Sequence, residues 1–150
     1  MTAPAPQPDE TPPDETPPDE LPPAERPMDG TETTLWVVAA HAGALVLSFV
    51  APLLVMLIGG PRSTFVRRHA IESLNFQITM LSITIGWLLL LMGMVAATDP
   101  REGELPPLLV LGFGVFAVLI AAMYVLPIVA TIRAGQGRDF RYPIAVPIVR

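Results

Sequence analysis

Beyond residue 34 the chain is written in three apolar runs separated by short polar breaks. Residues 35–58 and 74–97 each hold 24 residues without a formal charge, and residues 108–132 hold 25. A helix rises about 1.5 Å per residue and the bilayer hydrocarbon is about 30 Å thick, so each run is long enough to cross it with room for tilt. Helices of a soluble bundle would each need a polar face. None of these runs supplies one, and the pattern predicts an all-α membrane protein with three transmembrane helices. Gly59, Gly60 and Pro61 close the first run, and Asp99-Pro100 with Pro106-Pro107 frame the second break. Pro52 lies inside the first run and predicts a kink, tolerable where neighbouring helices satisfy the freed carbonyl. The alternative is that Pro52 breaks this run into a re-entrant pair, since 24 residues are too few for two full crossings.

Polar residues enter the second run in an ordered way. The stretch RRHAIESLNFQ, residues 67–77, leads into it, and a helix is predicted from Ser63 or Thr64, either of which can cap it. Arg67 and Arg68 are placed at headgroup depth, where anionic lipid phosphates are the expected partners. His69 and Glu72, three apart, can pair on one face. Glu72, Asn75, Thr79, Ser82 and Gly86 then follow at spacings of three and four and share one narrow sector. Such a stripe is expected to face other helices rather than lipid, with Gln77 and Thr84 on the other side. His41, in the small-residue patch 39–44, is a possible partner in the first run. The third run offers Gly112, Gly114, Ala117, Ala121 and Ala122, with a bend expected at Pro127 and a stop at Gly135 and Gly137. The ending Phe140, Arg141, Tyr142, Pro143 mixes aromatics with arginine as interfacial segments do, and places Arg141 and Tyr142 at the membrane surface.

Composition separates the apolar part from what precedes it. Residues 1–34 carry nine acids and one arginine, whereas residues 35–150 carry eight arginines and five acids, so the net charge of −5 is a property of the leader. That leader repeats with period five (PDETP, PDETP, PDELP, PAERP over residues 8–27). Proline pairs and like charges favour an extended, solvated chain with nothing to bury. Residues 1–34 are therefore expected to be a disordered Pro/Asp/Glu-rich tail and residues 35–150 the transmembrane domain. Arginine placement orients the spans: the first break and the C-terminus are arginine-rich and predicted cytoplasmic, and the acidic tail and second break outside.

Cysteine is absent, which excludes disulfides, thiolate metal sites and thiol catalysis, and lysine is absent too, which excludes Schiff-base chemistry. No nucleophile is paired with a base, so the chain is not expected to be an enzyme, and no cofactor, metal or nucleic-acid partner is expected.

The block His69, Glu72, Leu74-Asn75-Phe76-Gln77, preceded by Phe65-Val66, combines with the ending Phe140-Arg141-Tyr142-Pro143 and with Trp36 and His41 near the start. Together they resemble the bacterial Tic-twenty-like membrane proteins, related to the twenty-kilodalton subunit of the chloroplast inner-envelope import translocon. The similarity covers roughly residues 35–150. The resemblance implies a multi-pass plasma-membrane protein. From residues and resemblance together, the expected role is a scaffold or interaction component of a membrane assembly, with a protein partner or a second copy. The alternative is a subunit of a transport or protein-translocation complex.

Overall fold

The computed structural model describes residues 20–22, 26–98 and 106–150. Among these residues four α-helices form: α1 (Gly30–Leu47), α2 (Val50–Ile58), α3 (Thr64–Ala96) and α4 (Pro107–Gly135), with a short 3-10 turn at Gly60–Arg62. No strand occurs among the described residues. The expected tail falls largely on residues outside that set, as do Asp99, Arg101, Glu102 and Glu104 of the second break.

The first apolar run is not one helix. α1 starts at Asp29, whose carboxylate accepts the Glu32 amide at 2.6 Å, and stops at Leu47. Ser48 follows with φ 51° and ψ −131°, a conformation that glycine favours and that reverses the chain. α2 then runs back against α1. Pro52 therefore sits at the third position of a new helix instead of mid-helix. There its missing N–H is one of those that have no intrahelical acceptor anyway. The close return needs small residues: a Cβ on Gly43 would lie 2.8 Å from the Ala51 Cβ, and one on Gly59 3.0 Å from the Trp36 ring. The expectation of three spans kinked at Pro52 is thus corrected to a helical hairpin plus two long helices: the first run does break in two, but at Ser48 and not at Pro52.

α3 and α4 are long and apolar enough to cross a membrane. A core helix of a soluble protein would pass the same test but be mostly covered. Here only 17% and 11% of the most apolar 18-residue windows are buried. Leu89, Leu111 and Val118 are all more than half exposed. Exposed apolar faces of this kind mark contact with lipid or with another protein. The hairpin flanks only one half of the α3–α4 pair. In the other half the two long helices meet through Trp87, whose Nε1 donates to the Gly112 carbonyl at 3.0 Å.

The hairpin also settles which ends lie together. Arg62, after α2, donates to both carboxylate oxygens of Glu32, in the first turn of α1, at 2.5 and 2.9 Å, and to the Arg26 carbonyl at 3.2 Å. Arg67 donates to the Arg150 carbonyl, and Arg68 pairs with Asp139. The start of α1, the first break and the C-terminal segment therefore share one end of the molecule. Three crossings would put the start of α1 and the C-terminal segment at opposite ends, which this geometry does not do.

Candidate functional site

The polar residues of α3 converge on two neighbours, α1 and the C-terminal segment 138–150. α3 begins at Ser63, whose hydroxyl accepts the Val66 amide. It carries His69, Ser73, Asn75, Phe76, Gln77, Thr79 and Met80 fully or almost fully buried. α4 ends at Gly135, and Gly137, at φ 69°, turns the chain so that it returns across α3.

Asn75 grips that returning segment by its backbone. Its Oδ1 accepts the amides of Ile148 at 3.1 Å and Val149 at 2.7 Å, and its Nδ2 donates to the Val149 carbonyl at 3.0 Å. One turn on, Thr79 Oγ1 accepts the Val146 amide at 3.1 Å. An extended segment in an apolar setting has no helix to satisfy its amides, and these side chains do so. The stripe Glu72, Asn75, Thr79, Ser82, Gly86 does face a neighbour at Asn75 and Thr79. It runs out beyond the hairpin, where Ser82 is exposed and bonds its own helix at the Ile78 carbonyl.

Beside this clamp lies a buried chain of rings. Tyr142 Oη is 3.0 Å from His41 Nδ1, and His41 Nε2 is 3.0 Å from His69 Nδ1. Tyr142 stacks on Phe76 at 4.1 Å between centroids, and Phe140 meets Tyr142 edge-on. Ser73 donates to the Ala40 carbonyl at 2.9 Å and tightens the α1–α3 contact. When Tyr142 donates to His41 and His41 to His69, the last proton sits on His69 Nε2 and points toward Asp139 Oδ1, 3.6 Å away. Burial pushes the Tyr142 phenol above its ordinary value of 10.0, nearby Glu72 adds to this, and a hydrogen bond with Ser73 opposes it.

Several expected placements change. His69 approaches Asp139 and not Glu72, because the returning segment brings Asp139 over the end of the imidazole. Tyr142 is only 5% exposed and lies inside the fold, not at its surface. Arg67, Arg68 and Arg141 are exposed, and Arg68 also lies 5.5 Å over the Phe65 ring. Glu72 is half-buried and lines a cleft of about 50 Å³ with Arg68, His69, Asp139, Phe140 and Arg141. His41 does meet its partner in α3, and Gln77 faces α1, with its Nε2 3.5 Å from the Ala44 carbonyl. Asp139 carries no local signal of its role beside His69, and Phe140, legible as part of the aromatic ending, meets Tyr142 only because the chain returns after Gly137. Among the described residues no three His, Asp or Glu side chains are gathered to hold a metal ion.

Residues 32–149, which include the clamp and the ring chain, match the magnetosome magnetite crystal formation protein family, MamF/MmsF. The chain belongs to that family. Its match takes in nearly all of the described fold, and it overturns the Tic-twenty-like assignment that the Leu-Asn-Phe-Gln block and the Arg-Tyr-Pro ending suggested. Those short motifs serve the clamp and the ring stack, which are packing roles that say little about activity. With that assignment goes the support for a translocation subunit. No curated protein and no solved structure matches the chain.

Proposed function

We propose that this MamF/MmsF protein is an integral component of the magnetosome membrane that serves crystal formation as a scaffold, with no chemistry of its own. The carrying observation is the family match across residues 32–149, nearly the whole helical fold. The use of the polar groups supports it. Asn75, Thr79, Ser73, His41 and Tyr142 all bond within the fold and hold its parts together. On this reading α3 and α4 span the bilayer, and the α1–α2 hairpin enters and leaves from one side. The arginine-rich end, with Arg62, Arg67, Arg68, Arg138 and Arg141, stays cytoplasmic against anionic headgroups. The N-terminal leader lies on that side too, because Glu32 is tied to Arg62.

The test uses magnetite-forming cells whose only copy is the tagged chain. The protein is expected to co-purify with magnetosome membranes, and its deletion to shift the size distribution of the crystals. Residence in other membranes, with crystals unchanged on deletion, would sink the proposal.

A further inference from the structure

At the arginine-rich end one buried atom is left unused by the clamp and the ring chain. His69 is 1% exposed, and its Nε2 is covered and has no hydrogen-bond partner. Asp139 Oδ1 stands 3.6 Å from it, on a side chain that is 63% exposed. A hydrogen bond between nitrogen and oxygen spans about 2.7–3.2 Å, so this gap is too wide for one. A tetrahedral ion with bonds of about 2.0–2.2 Å keeps two such ligand atoms about 3.3–3.5 Å apart. The observed separation is therefore closer to that of two atoms sharing a metal than to that of a hydrogen-bonded pair. The gap between these two atoms is the site, and the open groove around it is only the approach.

The hydrogen bonds behind His69 leave Nε2 available as a ligand. Ser73 has one hydroxyl proton and donates it to the Ala40 carbonyl. Its hydrogen bond with Tyr142 therefore takes the phenol proton. Tyr142 Oη must then accept from His41 Nδ1, and His41 Nε2 from His69 Nδ1. Every proton in that order has an acceptor, and the lone pair left over is on His69 Nε2. The reverse order, which puts a proton on Nε2, leaves Ser73 and Tyr142 no proton for their contact. A metal-binding imidazole characteristically donates its other ring N–H to a second group that fixes the ring, and here His41 is that group.

Charge allows a cation to enter. Arg68 and Arg141 balance Glu72 and Asp139 around the cleft. Arg68 holds Asp139 Oδ1 at 2.6 Å, but both side chains are more than half exposed, and ion pairs of that kind are weak. A dication displaces Arg68 and keeps Glu72, three positions along α3 from His69, as a second negative charge nearby. We propose that His69 Nε2 and Asp139 bind a divalent transition metal of the zinc kind, with water in the remaining positions, and that the ion fastens the returning C-terminal segment to α3. Imidazole with carboxylate suits such ions, whereas magnesium and calcium take oxygen ligands. Entry requires only that the exposed Asp139 side chain turn aside. Two protein ligands make the site weak and exchangeable.

The chain has two histidines and no cysteine, which makes the test direct. The full chain with isotope-labelled histidine is placed in detergent and titrated with zinc chloride, with magnesium chloride as the comparison. By nitrogen NMR, zinc is expected to move Nε2 of one histidine, identified with His69→Gln, to a metal-bound position and to leave both Nδ1 atoms protonated. By calorimetry, Asp139→Asn is expected to weaken zinc binding at least about tenfold. The exposed Asp139 side chain makes that variant informative even if His69→Gln fails to fold. Arg68→Gln is expected to tighten binding up to about fivefold, the ~1 kcal/mol that an exposed ion pair can hold. Misfolding could not produce that gain. Histidine nitrogens unmoved by zinc, a magnesium response equal to that of zinc, unchanged affinity in Asp139→Asn, or no tightening in Arg68→Gln would each overturn the site. None of these outcomes depends on where in the cell the protein resides or on its effect on crystals.

Discussion

Asn75 does more for this fold than its place in a polar stripe would suggest. It makes three hydrogen bonds to the backbone of residues 148 and 149. Hydrogen bonds contribute about 0.5–1.5 kcal/mol each, and an orphaned buried amide costs more. Asn75→Leu is therefore expected to release the end of the chain. Hydrogen exchange at Val146, Ile148 and Val149 should rise at least about tenfold, the factor for 1.4 kcal/mol, with α4 unchanged. Unchanged exchange at those amides would show that the clamp is not what holds them. The stripe itself was legible from spacing alone, because a helix repeats every three to four residues. What it faced was not, because the segment it grips is more than sixty residues away in the chain.

Tyr142 gives a pH signature at the same scale. Its phenol is raised by burial, so the folded pKa lies above the unfolded value of about 10. The neutral phenol's contribution is complete below pH 10 and is lost as pH rises from there toward the folded pKa. Thermal stability in detergent should thus fall above pH 10. Tyr142→Phe should lower stability at pH 8 by about 1 kcal/mol through the lost His41 bond and flatten the alkaline decline. An equally steep decline in the variant would place its origin elsewhere.

Among the elements, the hairpin is the one whose nature changes the topology. Twenty-four uncharged residues with one proline fit a kinked span or a re-entrant pair equally well by composition. Ser48 decides between them, and serine carries no sequence signal for positive φ. Ser48→Gly is expected to stabilise the protein by about 1 kcal/mol, since a non-glycine residue in this region stores roughly 1–3 kcal/mol of strain. Gly43→Val works in the other direction. Its Cβ would be 2.8 Å from Ala51, backed by the α2 backbone, and overpacking of this kind costs about 1–3 kcal/mol. Thermal melts in detergent measure both, and a destabilised Ser48→Gly would contradict the turn geometry.

At the scale of the whole molecule, the doubling back puts the start of α1, with Glu32, at the arginine-rich end. Three spans would have demanded that the leader be carried across the membrane. Two spans and a hairpin do not. Single cysteines at Thr31 and Ser63 should label together from one face of sealed vesicles. Labelling from opposite faces would restore a full crossing by residues 35–58.

The apolar character of the runs and the helical class were determined by the sequence alone. Unbroken uncharged runs can satisfy their backbone in lipid only as helices, wherever their neighbours lie. The start of α3 at Ser63 and the end of α4 at Gly135 were also local matters of capping and of a glycine turn. Tertiary structure decided the rest. It chose a hairpin over a third span, brought Asp139 to His69 in place of Glu72, and drew Tyr142 inside against His41. Each of these depends on which distant backbone returns to which helix face. That return is set by the fit of small residues such as Gly43 and by side chains that take the place of missing backbone partners.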